Sequence, residues 1–516
     1  MVEEEAPAVR PAVGPKVGFV SLGCPKNLVD SEVMMGLLDH AGARLTAKPE
    51  EAEILVVNTC SFIDTAKQES VDAILEMARH KTAGSARKLI VAGCLVERYR
   101  DEIRKNIPEV DAVVGTGELE SILNAAGLAP RPAAASPFTI ISSDGHADAR
   151  AGAELRSGTH LKESEAGQFR AEGDRRERQG RFRRDQWQGA AHLLPTYLYD
   201  ESTPRFLSTP RASAYIKIAE GCDHPCTFCI IPNLRGKFRS RRFESVVAEA
   251  RQLVARGVEE ITLVGQDTTC YGEDLGLKDG LATLLEALAG IEGLRWLRFL
   301  YAYPNRITGK LLETMARHDN ICKYLDVPLQ HASPEVLKRM KRGAGAEIFL
   351  RTIEKVRAAV PDIALRTSFI VGFPGECASD FEILEEFISE AKFDWLGVFT
   401  YSDEEGSGAH SFDEKIPKRM IEARRKRLMK LQQKISREAK QKWIGRELTV
   451  LAEGESEETP LLWEGRTEFH APEIDGKVYI NDLGELPALE AGRFYRAEIT
   501  EAHDYDMIAR ILGPEG

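Results

Sequence analysis

Long apolar runs are missing from this 516-residue sequence, and so is a recognisable export signal. No run approaches the roughly 20 apolar residues that a membrane-spanning helix needs. The first residues, MVEEEAPAVRPAVGPK, have neither the basic start nor the apolar stretch of a secretory signal. These absences exclude a membrane-spanning protein, predict no membrane partner, and lead us to expect a cytoplasmic location.

Positive charge is outnumbered by negative charge, and cysteines are few. The 81 Asp and Glu outnumber the 69 Lys and Arg, and the net charge of −12 argues against a generic nucleic-acid binder held by phosphate contacts. Only nine cysteines are present. In a reducing compartment they are metal ligands, catalytic thiols or small core residues rather than a disulfide framework. The length exceeds one hydrophobic core, so we expect several domains.

Residues 15–131 alternate strand and helix patterns, which predicts a small parallel α/β domain. Cys24, Cys60 and Cys94 follow its first three predicted strands, each where the strand gives way to a helix. The carboxyl ends of parallel strands lie along one edge of a sheet. We therefore expect these cysteines, 34 to 36 positions apart, to meet in space.

Residues 142–194 are rich in Gly, Ala, Arg and Glu and show no sustained hydrophobic period. Such a composition buries too little apolar surface to offset its ordering entropy, so it predicts a disordered insertion or linker. Within it, residues 170–184 contain seven Arg and three acidic residues, a local charge of +4. This run has the charge to contact RNA, but its composition favours a solvated linker.

Strand and helix patterns resume over residues 208–438 and repeat about six times, which predicts a parallel (β/α) barrel, complete or partial. Residues 440–514 contain short strands separated by turn residues, a pattern typical of a small antiparallel OB-like barrel. From residue 440 onward there are eight Lys and Arg and 17 Asp and Glu, a net charge of −9. That charge is unusual for an RNA-binding barrel.

Cys222, Cys226 and Cys229 follow the first predicted barrel strand in C-x3-C-x2-C spacing. Thiolates suit zinc or an iron-sulfur cluster. A structural zinc site needs four ligands, and His224 is the one close candidate for the fourth. A 4Fe-4S cluster held by three cysteines leaves one iron open to a substrate-like molecule. The spacing alone therefore allows either zinc or a 4Fe-4S cluster.

This motif resembles that of the radical S-adenosylmethionine (SAM) superfamily in its spacing, in the aromatic Phe228 before the last cysteine, and in its place after the first strand of a (β/α)6 barrel. The resemblance implies a 4Fe-4S cluster on these three cysteines, whose open iron binds SAM. It also implies cofactor contacts at Phe228, Gly265, Gln266, Asp267, Arg366, Thr367 and Gly372. A Gly-rich strand end is equally typical of a tight turn, so each contact is weak alone.

The N-terminal cysteines indicate one family within this superfamily. Three cysteines in an α/β domain before a radical barrel are similar to the methylthiotransferase family, whose amino-terminal domain holds a second 4Fe-4S cluster. The resemblance implies that cluster on Cys24, Cys60 and Cys94, and a TRAM domain as the C-terminal barrel. Three small buried cysteines are the alternative. The thiols without shared spacing are predicted to be core or surface residues: Cys270, Cys322 and Cys377.

Four segments resemble the family members that modify an aspartate of the twelfth protein of the small ribosomal subunit: SLGCPKNLVDSE, NTCSFIDTAKQESVDAILE, VAGCLVERY and KIAEGCDHPCTFCIIPNLRGKFRSR. The Pro-Lys after Cys24 distinguishes them from the RNA-modifying members. An acidic C-terminal barrel also suits a basic protein. The resemblance therefore implies methylthiolation of the β-carbon of one ribosomal-protein aspartate. The rivals are a transfer-RNA adenosine methylthiotransferase and a non-catalytic iron-sulfur sensor.

The resemblance also implies the cofactors and partners. They are two 4Fe-4S clusters, SAM as methyl donor and radical source, a small-subunit ribosomal protein as substrate, an electron donor such as flavodoxin or ferredoxin, and a sulfur donor. No catalytic proton-transfer residue is predicted. Five cations follow the Cys222 motif: Arg235, Lys237, Arg239, Arg241 and Arg242. They either steer an anionic substrate or form a solvated charged face.

Overall fold

The computed structural model describes residues 14–130, 138–139 and 195–515. The predicted linker at 142–194, with its arginine-rich run at 170–184, lies outside the described residues. Within the described ranges, no helix combines the length and the apolar character needed to cross a membrane.

The N-terminal domain is built on a five-stranded parallel sheet in the order β2-β1-β3-β4-β5. Its central strands are continuous apolar runs, as expected of a parallel sheet covered on both faces. The strands are β1 (Lys16–Ser21), β2 (Arg44–Thr46), β3 (Ile54–Thr59), β4 (Lys88–Gly93) and β5 (Ala112–Val114). The helices are α1 (Pro25–His40), α2 (Asp64–Ala83), α3 (Cys94–Asn106) and α4 (Ile122–Ala126).

The barrel consists of two parallel three-stranded sheets, β12-β11-β8 and β13-β14-β15. A parallel bridge between Leu297 and Ile321 joins them, so the six strands run in chain order around a partial barrel. The strands are β8 (Ser213–Lys217), β11 (Glu260–Val264), β12 (Trp296–Phe299), β13 (Tyr324–Asp326), β14 (Ala364–Val371) and β15 (Trp395–Thr400). This confirms the predicted (β/α)6 architecture.

Helices cover the outside of the barrel, and short pairs of strands flank it. The helices are α5 (Ile231–Arg235), α6 (Phe243–Val254), α7 (Gly280–Ala289), α8 (Gly309–Arg317), α9 (Pro334–Arg339), α10 (Ala346–Ala359), α11 (Ala378–Ala391) and α12 (Lys418–Lys440). The short pairs are β6 (Phe138–Thr139) with β7 (Arg205–Phe206), and β9 (Ala219–Glu220) with β10 (Arg239–Ser240).

The C-terminal domain is a closed five-stranded barrel, as predicted. Its strands are β16 (Glu447–Glu455), β17 (Trp463–Arg466), β18 (Val478–Asp482), β19 (Phe494–Ala502) and β20 (Met507–Pro514). One pair, β18 with β20, is parallel rather than antiparallel. The reason is arithmetic, because a closed ring with an odd number of strands cannot alternate direction throughout.

Buried ion pairs join the three domains. Arg466 of β17 pairs with Glu260 of β11, tying the C-terminal barrel to the central one. Arg98 of α3 lies 2.5 Å from Glu404, in the loop after β15. Each pair is nearly inaccessible to water, and each carboxylate has a second cation, Arg298 for Glu260 and Lys67 for Glu404. Breaking such a buried network is costly. These contacts therefore fix how the domains sit against each other.

The segment before β8 runs between the first two domains. Its Arg205 is fully buried and bonds to Glu32 of α1 and to Glu249 of α6. Gly36 of α1 permits this approach, since a Cβ there would lie 2.4 Å from the backbone nitrogen of Arg205. The segment at 204–205 is thus packed into the domain interface.

Replacing Arg205 by Met should destabilise the protein by about 3–5 kcal/mol, because buried Glu32 loses its cation and buried Glu249 keeps only Arg241. At about 2–4 °C per kcal/mol, the first thermal transition should fall by roughly 6 °C or more. The control is Arg351→Met, which removes an exposed i,i+4 pair with Glu347 and should shift the transition little. Equal melting temperatures for both variants would contradict the assigned role of Arg205.

Candidate active site

The loop that carries Cys222, Cys226 and Cys229 leaves the barrel after β9 and returns as α5. The Cys222 amide donates to the Gly236 carbonyl at 3.1 Å, which closes the loop. Gly221 has φ +80°, and a Cβ there would lie 2.1 Å from the Lys237 carbonyl oxygen. The turn before the first cysteine therefore requires glycine.

A carboxylate at the end of β11 anchors this loop. Nε2 of His224 lies 2.6 Å from Oδ2 of Asp267, and the imidazole stacks on Tyr303 with 3.9 Å between ring centroids. Asp267 also accepts from the amide and hydroxyl of Thr269. Burial raises the pKa of Asp267, but these hydrogen bonds outweigh it and leave that pKa below its usual range. This contact fixes the His224 imidazole through Nε2 and does not distinguish zinc from an iron-sulfur cluster, because a metal-binding histidine commonly bonds to a carboxylate through its other ring nitrogen.

The three thiols of this loop suit a soft metal cluster. All three are free and lie in partly covered positions. Burial raises the pKa of Cys222 to about 11 and that of Cys229 to about 12. The guanidinium of Arg342 lies 3.8 Å from Sγ of Cys226, where it would offset thiolate charge. A three-thiolate donor set with a nearby cation fits a 4Fe-4S cluster that has one iron without a protein ligand.

The N-terminal cysteines meet at one sheet edge, as the strand pattern predicts. Cys24 is the N-cap of α1, Cys60 follows β3, and Cys94 begins α3. A Cβ on Gly23 would lie 3.2 Å from Sγ of Cys60, so the first loop closes tightly on the second. The Ser61 hydroxyl donates to the carbonyl of Cys94 at 3.0 Å and joins the second loop to the third.

The three N-terminal thiols differ in their electrostatic environment. Burial raises the pKa of Cys60 to about 12 and also raises the pKa of Cys94. Burial acts on Cys24 in the same direction, but the ammonium of Lys26 and the guanidinium of Arg235 outweigh it and lower its pKa. Two cations beside three thiols offset the negative charge of a thiolate cluster, so these residues also fit such a group.

The two sets of cysteines lie on either side of one interface. Cys94 packs in a small buried cluster with Ile230 and Leu234, and Ile230 directly follows Cys229. Arg235, at the end of α5, pairs with Asp30 of α1 at 2.5 Å and with Glu220 of β9 at 3.2 Å. The loop of one cysteine set therefore contacts a cysteine of the other.

Three predicted cofactor contacts lie at the end of β11, beside the Cys222 loop. Gly265 faces Ala219, Gln266 donates to Glu220 at 2.6 Å, and Asp267 holds His224. Phe228 packs against the separate cluster of Val336, Met340, Phe373 and Ala409. Gln266 and Asp267 thus belong to the wall of the cysteine loop, and their contact with SAM stays a prediction.

The other predicted contacts have partners within the protein. Arg366 pairs with Asp326 at 2.8 Å and with Asp475 of the C-terminal domain at 3.4 Å. The Thr367 hydroxyl donates to the Val327 carbonyl at 2.8 Å. Gly372 faces α12, where a Cβ would lie 2.4 Å from the Ile421 side chain. These contacts are structural, and a role in cofactor binding stays a prediction.

The five cations after the Cys222 motif separate into two groups. Arg235 and Arg241 are buried, and Arg241 pairs with Glu249, so neither belongs to a solvated face. Lys237 and Arg242 are exposed, and Arg239 is half-buried. The remaining thiols show no common site: Cys270 donates to Asp267, Cys322 is buried in the core, and Cys377 is exposed.

Sequence reasoning missed Glu220 and Arg342, and it did not foresee the burial of Arg235. Glu220 and Arg235 lie in the segment around the Cys222 motif, but nothing in that segment shows what they pair with, and Arg342 lies in no motif. Arg235 and its partner Asp30 are 205 positions apart, so no local signal pairs them. The Pro-Lys after Cys24 was the one available sign that Lys26 differs from an ordinary surface lysine.

Three family models match the chain in the order of its domains. Uncharacterized protein family UPF0004 covers residues 16–115, the Radical SAM superfamily covers residues 216–388, and the TRAM domain covers residues 444–512. With the (β/α)6 partial barrel and its cysteine loop, these matches define a radical SAM protein. Membership of that superfamily implies SAM and a 4Fe-4S cluster.

Two curated relatives match almost end to end. Ribosomal protein uS12 methylthiotransferase RimO of Koribacter versatilis is 65% identical over 509 residues, 98% of each chain. The RimO protein of Solibacter usitatus is 54% identical over 503 residues, 97% of this chain and 95% of that one. The chain belongs to the RimO family. The solved structure of the radical SAM methyltransferase TsrM from Kitasatospora setae covers 75% of this chain and 72% of its own, with TM-score 0.47 and 14% identity.

Removing the His224 imidazole should weaken iron retention at the Cys222 loop. Partners that orient a metal-binding loop typically account for 10- to 100-fold in metal affinity. We expect His224→Ala, in a background with Cys24, Cys60 and Cys94 all changed to Ala, to lose iron to a chelator roughly 10-fold faster or more. Absorbance of the anaerobically reconstituted protein follows the loss.

The matched control for this prediction is Cys270→Ala. It also removes a donor to Asp267 but leaves the His224 contact in place. Iron loss from this variant should match that of its parent. If His224→Ala releases iron no faster than Cys270→Ala, the His224 contact does not account for iron retention.

Proposed function

We propose that this protein methylthiolates the β-carbon of an aspartate in ribosomal protein uS12 by a radical SAM mechanism with two 4Fe-4S clusters. One observation carries the proposal: two three-cysteine sets lie on opposite sides of one interface in a chain 65% identical to a RimO protein. Replacing a C–H bond by a C–S bond needs a carbon radical and a sulfur donor close together. An arrangement with two sites provides both.

Each cysteine set is assigned one cluster. Cys222, Cys226 and Cys229 hold the cluster that binds SAM, and Cys24, Cys60 and Cys94 hold the second. When bound, these groups supply the electron, the radical and the methylthio group. An electron donor such as flavodoxin or ferredoxin and an external sulfur donor complete the chemistry.

The residues of the chain itself have two tasks in this scheme. Ile230 and Leu234 pack against Cys94 and exclude water between the two sites, which protects a reactive intermediate from side reactions. Arg235 and Lys26 offset negative charge at Cys24, and Arg342 lies beside Cys226. Positive charge next to a thiolate cluster stabilises its more reduced, more negative state.

The surface of the C-terminal barrel favours a basic protein as substrate over transfer RNA. Its net charge is −9 from residue 440 onward, and the exposed carboxylates include Glu455, Glu457 and Glu485. Such a surface repels phosphates and attracts a cationic ribosomal protein. This observation supports uS12 over the transfer-RNA alternative.

Two single-cysteine variants should separate the two assigned roles. Cys226→Ala should abolish formation of 5′-deoxyadenosine, because the SAM-binding cluster loses a ligand. Cys60→Ala should retain that cleavage and lose methylthiolation of the protein. Chromatography of the nucleoside and mass spectrometry of the protein measure the two outputs, and iron analysis gives the cluster content.

Cys377→Ser is the matched control for the cysteine variants. The Cys377 thiol donates to Asp380 at the start of α11, and serine supplies a hydroxyl donor in its place. Both outputs should equal those of the unaltered protein. Full methylthiolation by Cys60→Ala would overturn the second cluster site.

The choice of substrate is tested by offering purified uS12 and transfer RNA separately to the anaerobically reconstituted protein with SAM and a reductant. We expect uS12 to gain the mass of one methylthio group in place of hydrogen, at an aspartate. The transfer RNA should stay unmodified. A modified adenosine with unmodified uS12 would refute the proposed substrate.

A further inference from the structure

Lys26 occupies an unusual position between the two domains. It lies in the first turn of α1, two residues after Cys24, and is 8% exposed. Its Nζ lies 3.3 Å from the centroid of the Tyr301 ring, which follows β12 of the barrel. The ammonium therefore sits between a cysteine of the N-terminal set and the strand ends of the barrel.

This ammonium has no carboxylate partner within 4.0 Å among residues 14–130 and 195–515. The buried cations in these ranges that have such a partner are Arg98, Arg205, Lys217, Arg235, Arg241, Arg298, Arg424 and Arg466. Lys440 is the other exception, and it lies at the far end of α12, over Trp395. A buried charge is costly unless it is paired. Within the described part of the chain Lys26 lies beside the Cys24 thiol and the Tyr301 ring but has no carboxylate, so a carboxylate from outside the chain would complete its pairing.

Tyr301 is held in place beneath this ammonium. Its φ of +64° is rare for a residue with a side chain. The backbone is fixed there because its amide donates to Asp326 at 3.0 Å and its carbonyl accepts from the Thr268 amide at 3.2 Å. Strain of this kind persists where surrounding contacts enforce it, and it clusters at functional sites. The ring gives Lys26 a cation–π contact but no negative charge.

We propose that Lys26 binds the side-chain carboxylate of the substrate aspartate and thereby selects an acid over its amide. The proposal rests on the proposed function, which requires the aspartate β-carbon to lie between the two cysteine sets. The carboxylate is bonded directly to that carbon. An ammonium on the Cys24 side can hold the carboxylate while leaving the β-hydrogens directed toward the barrel.

The chemistry of the ammonium fits this task. It offers three donors and a full charge in a site sheltered from water, where a charge pair is strong. An asparagine in place of the substrate aspartate has no negative charge to pair with the Lys26 ammonium. A site built around a buried polar group rejects a ligand that leaves this group unpaired. A different role, as a counter-charge to the thiolates alone, would make Lys26 indifferent to the substrate side chain.

The test compares uS12 with a version in which the modified aspartate is replaced by Asn. The wild-type reaction first locates that aspartate by mass spectrometry. Equilibrium binding is then measured anaerobically by fluorescence anisotropy, with clusters loaded and reductant omitted so that no turnover occurs. The proteins compared are wild type, Lys26→Met, Lys26→Arg, and Lys105→Met as an exposed control.

Wild type and Lys105→Met should bind the aspartate form roughly 30-fold or more tightly than the asparagine form, as expected for one buried charge pair. Lys26→Met should bind both forms alike, near the wild-type affinity for the asparagine form. Lys26→Arg keeps the charge and should keep part of the preference. Iron content and absorption spectrum of each variant report cluster loading independently of binding.

Three results would overturn the proposal. The first is an unchanged acid preference in Lys26→Met while wild type modifies uS12, which leaves the proposed function intact. The second is an equal loss of affinity for both forms in Lys26→Met with Lys26→Arg like wild type, which identifies a counter-charge only. The third is modification of transfer RNA instead of uS12, which removes the proposed function and this inference together. If Lys26→Met fails to load iron, the deciding measurement is whether Lys26→Arg prefers the aspartate form of uS12. A retained preference supports the proposal, and the absence of a preference refutes it.

Discussion

The guanidinium of Arg235 is the contact on which the arrangement of the two cysteine sets depends. It is 2% exposed, it belongs to the helix that follows Cys229, and it reaches Asp30 on the helix that follows Cys24. Lys217 binds the same aspartate from β8. Because a buried charge without its partner is costly, the N-terminal domain docks in the one register that pairs these groups. The distance between the two cysteine sets follows from that register.

Much of the fold was predictable because its determinants are local. The six barrel strands and the N-terminal sheet appear as apolar runs separated by helical periods, and the cysteines follow strand ends directly. The parallel pairing of β18 with β20 was not predictable, since strand order in a barrel is not encoded in the local pattern. Closure of an odd-stranded ring is a global constraint.

The candidate site also has features that could be predicted from the sequence and features that could not. The spacing of Cys222, Cys226 and Cys229 within eight positions predicts a set of metal ligands. The N-terminal cysteines are spread over 71 positions, and they predict a ligand set only when a parallel sheet is assumed. The surroundings of the thiols could not be derived. Whether a cation such as Arg235 is solvated or buried is decided by a partner on another domain. The same holds for Arg366, whose glycine-rich neighbourhood suggested a cofactor contact but whose charge pairs with Asp475 of the C-terminal barrel.

Gly36 of α1 influences the spacing between the two cysteine sets. The absence of a side chain there lets the backbone at 204–205 lie against α1. That backbone continues through β8 and β9 into the loop of Cys222. A methyl group on Gly36 would push the backbone at 204–205 away from α1, and we expect the cysteine loop to shift with it. The spacing between the two cysteine sets thus depends in part on the missing side chain at Gly36.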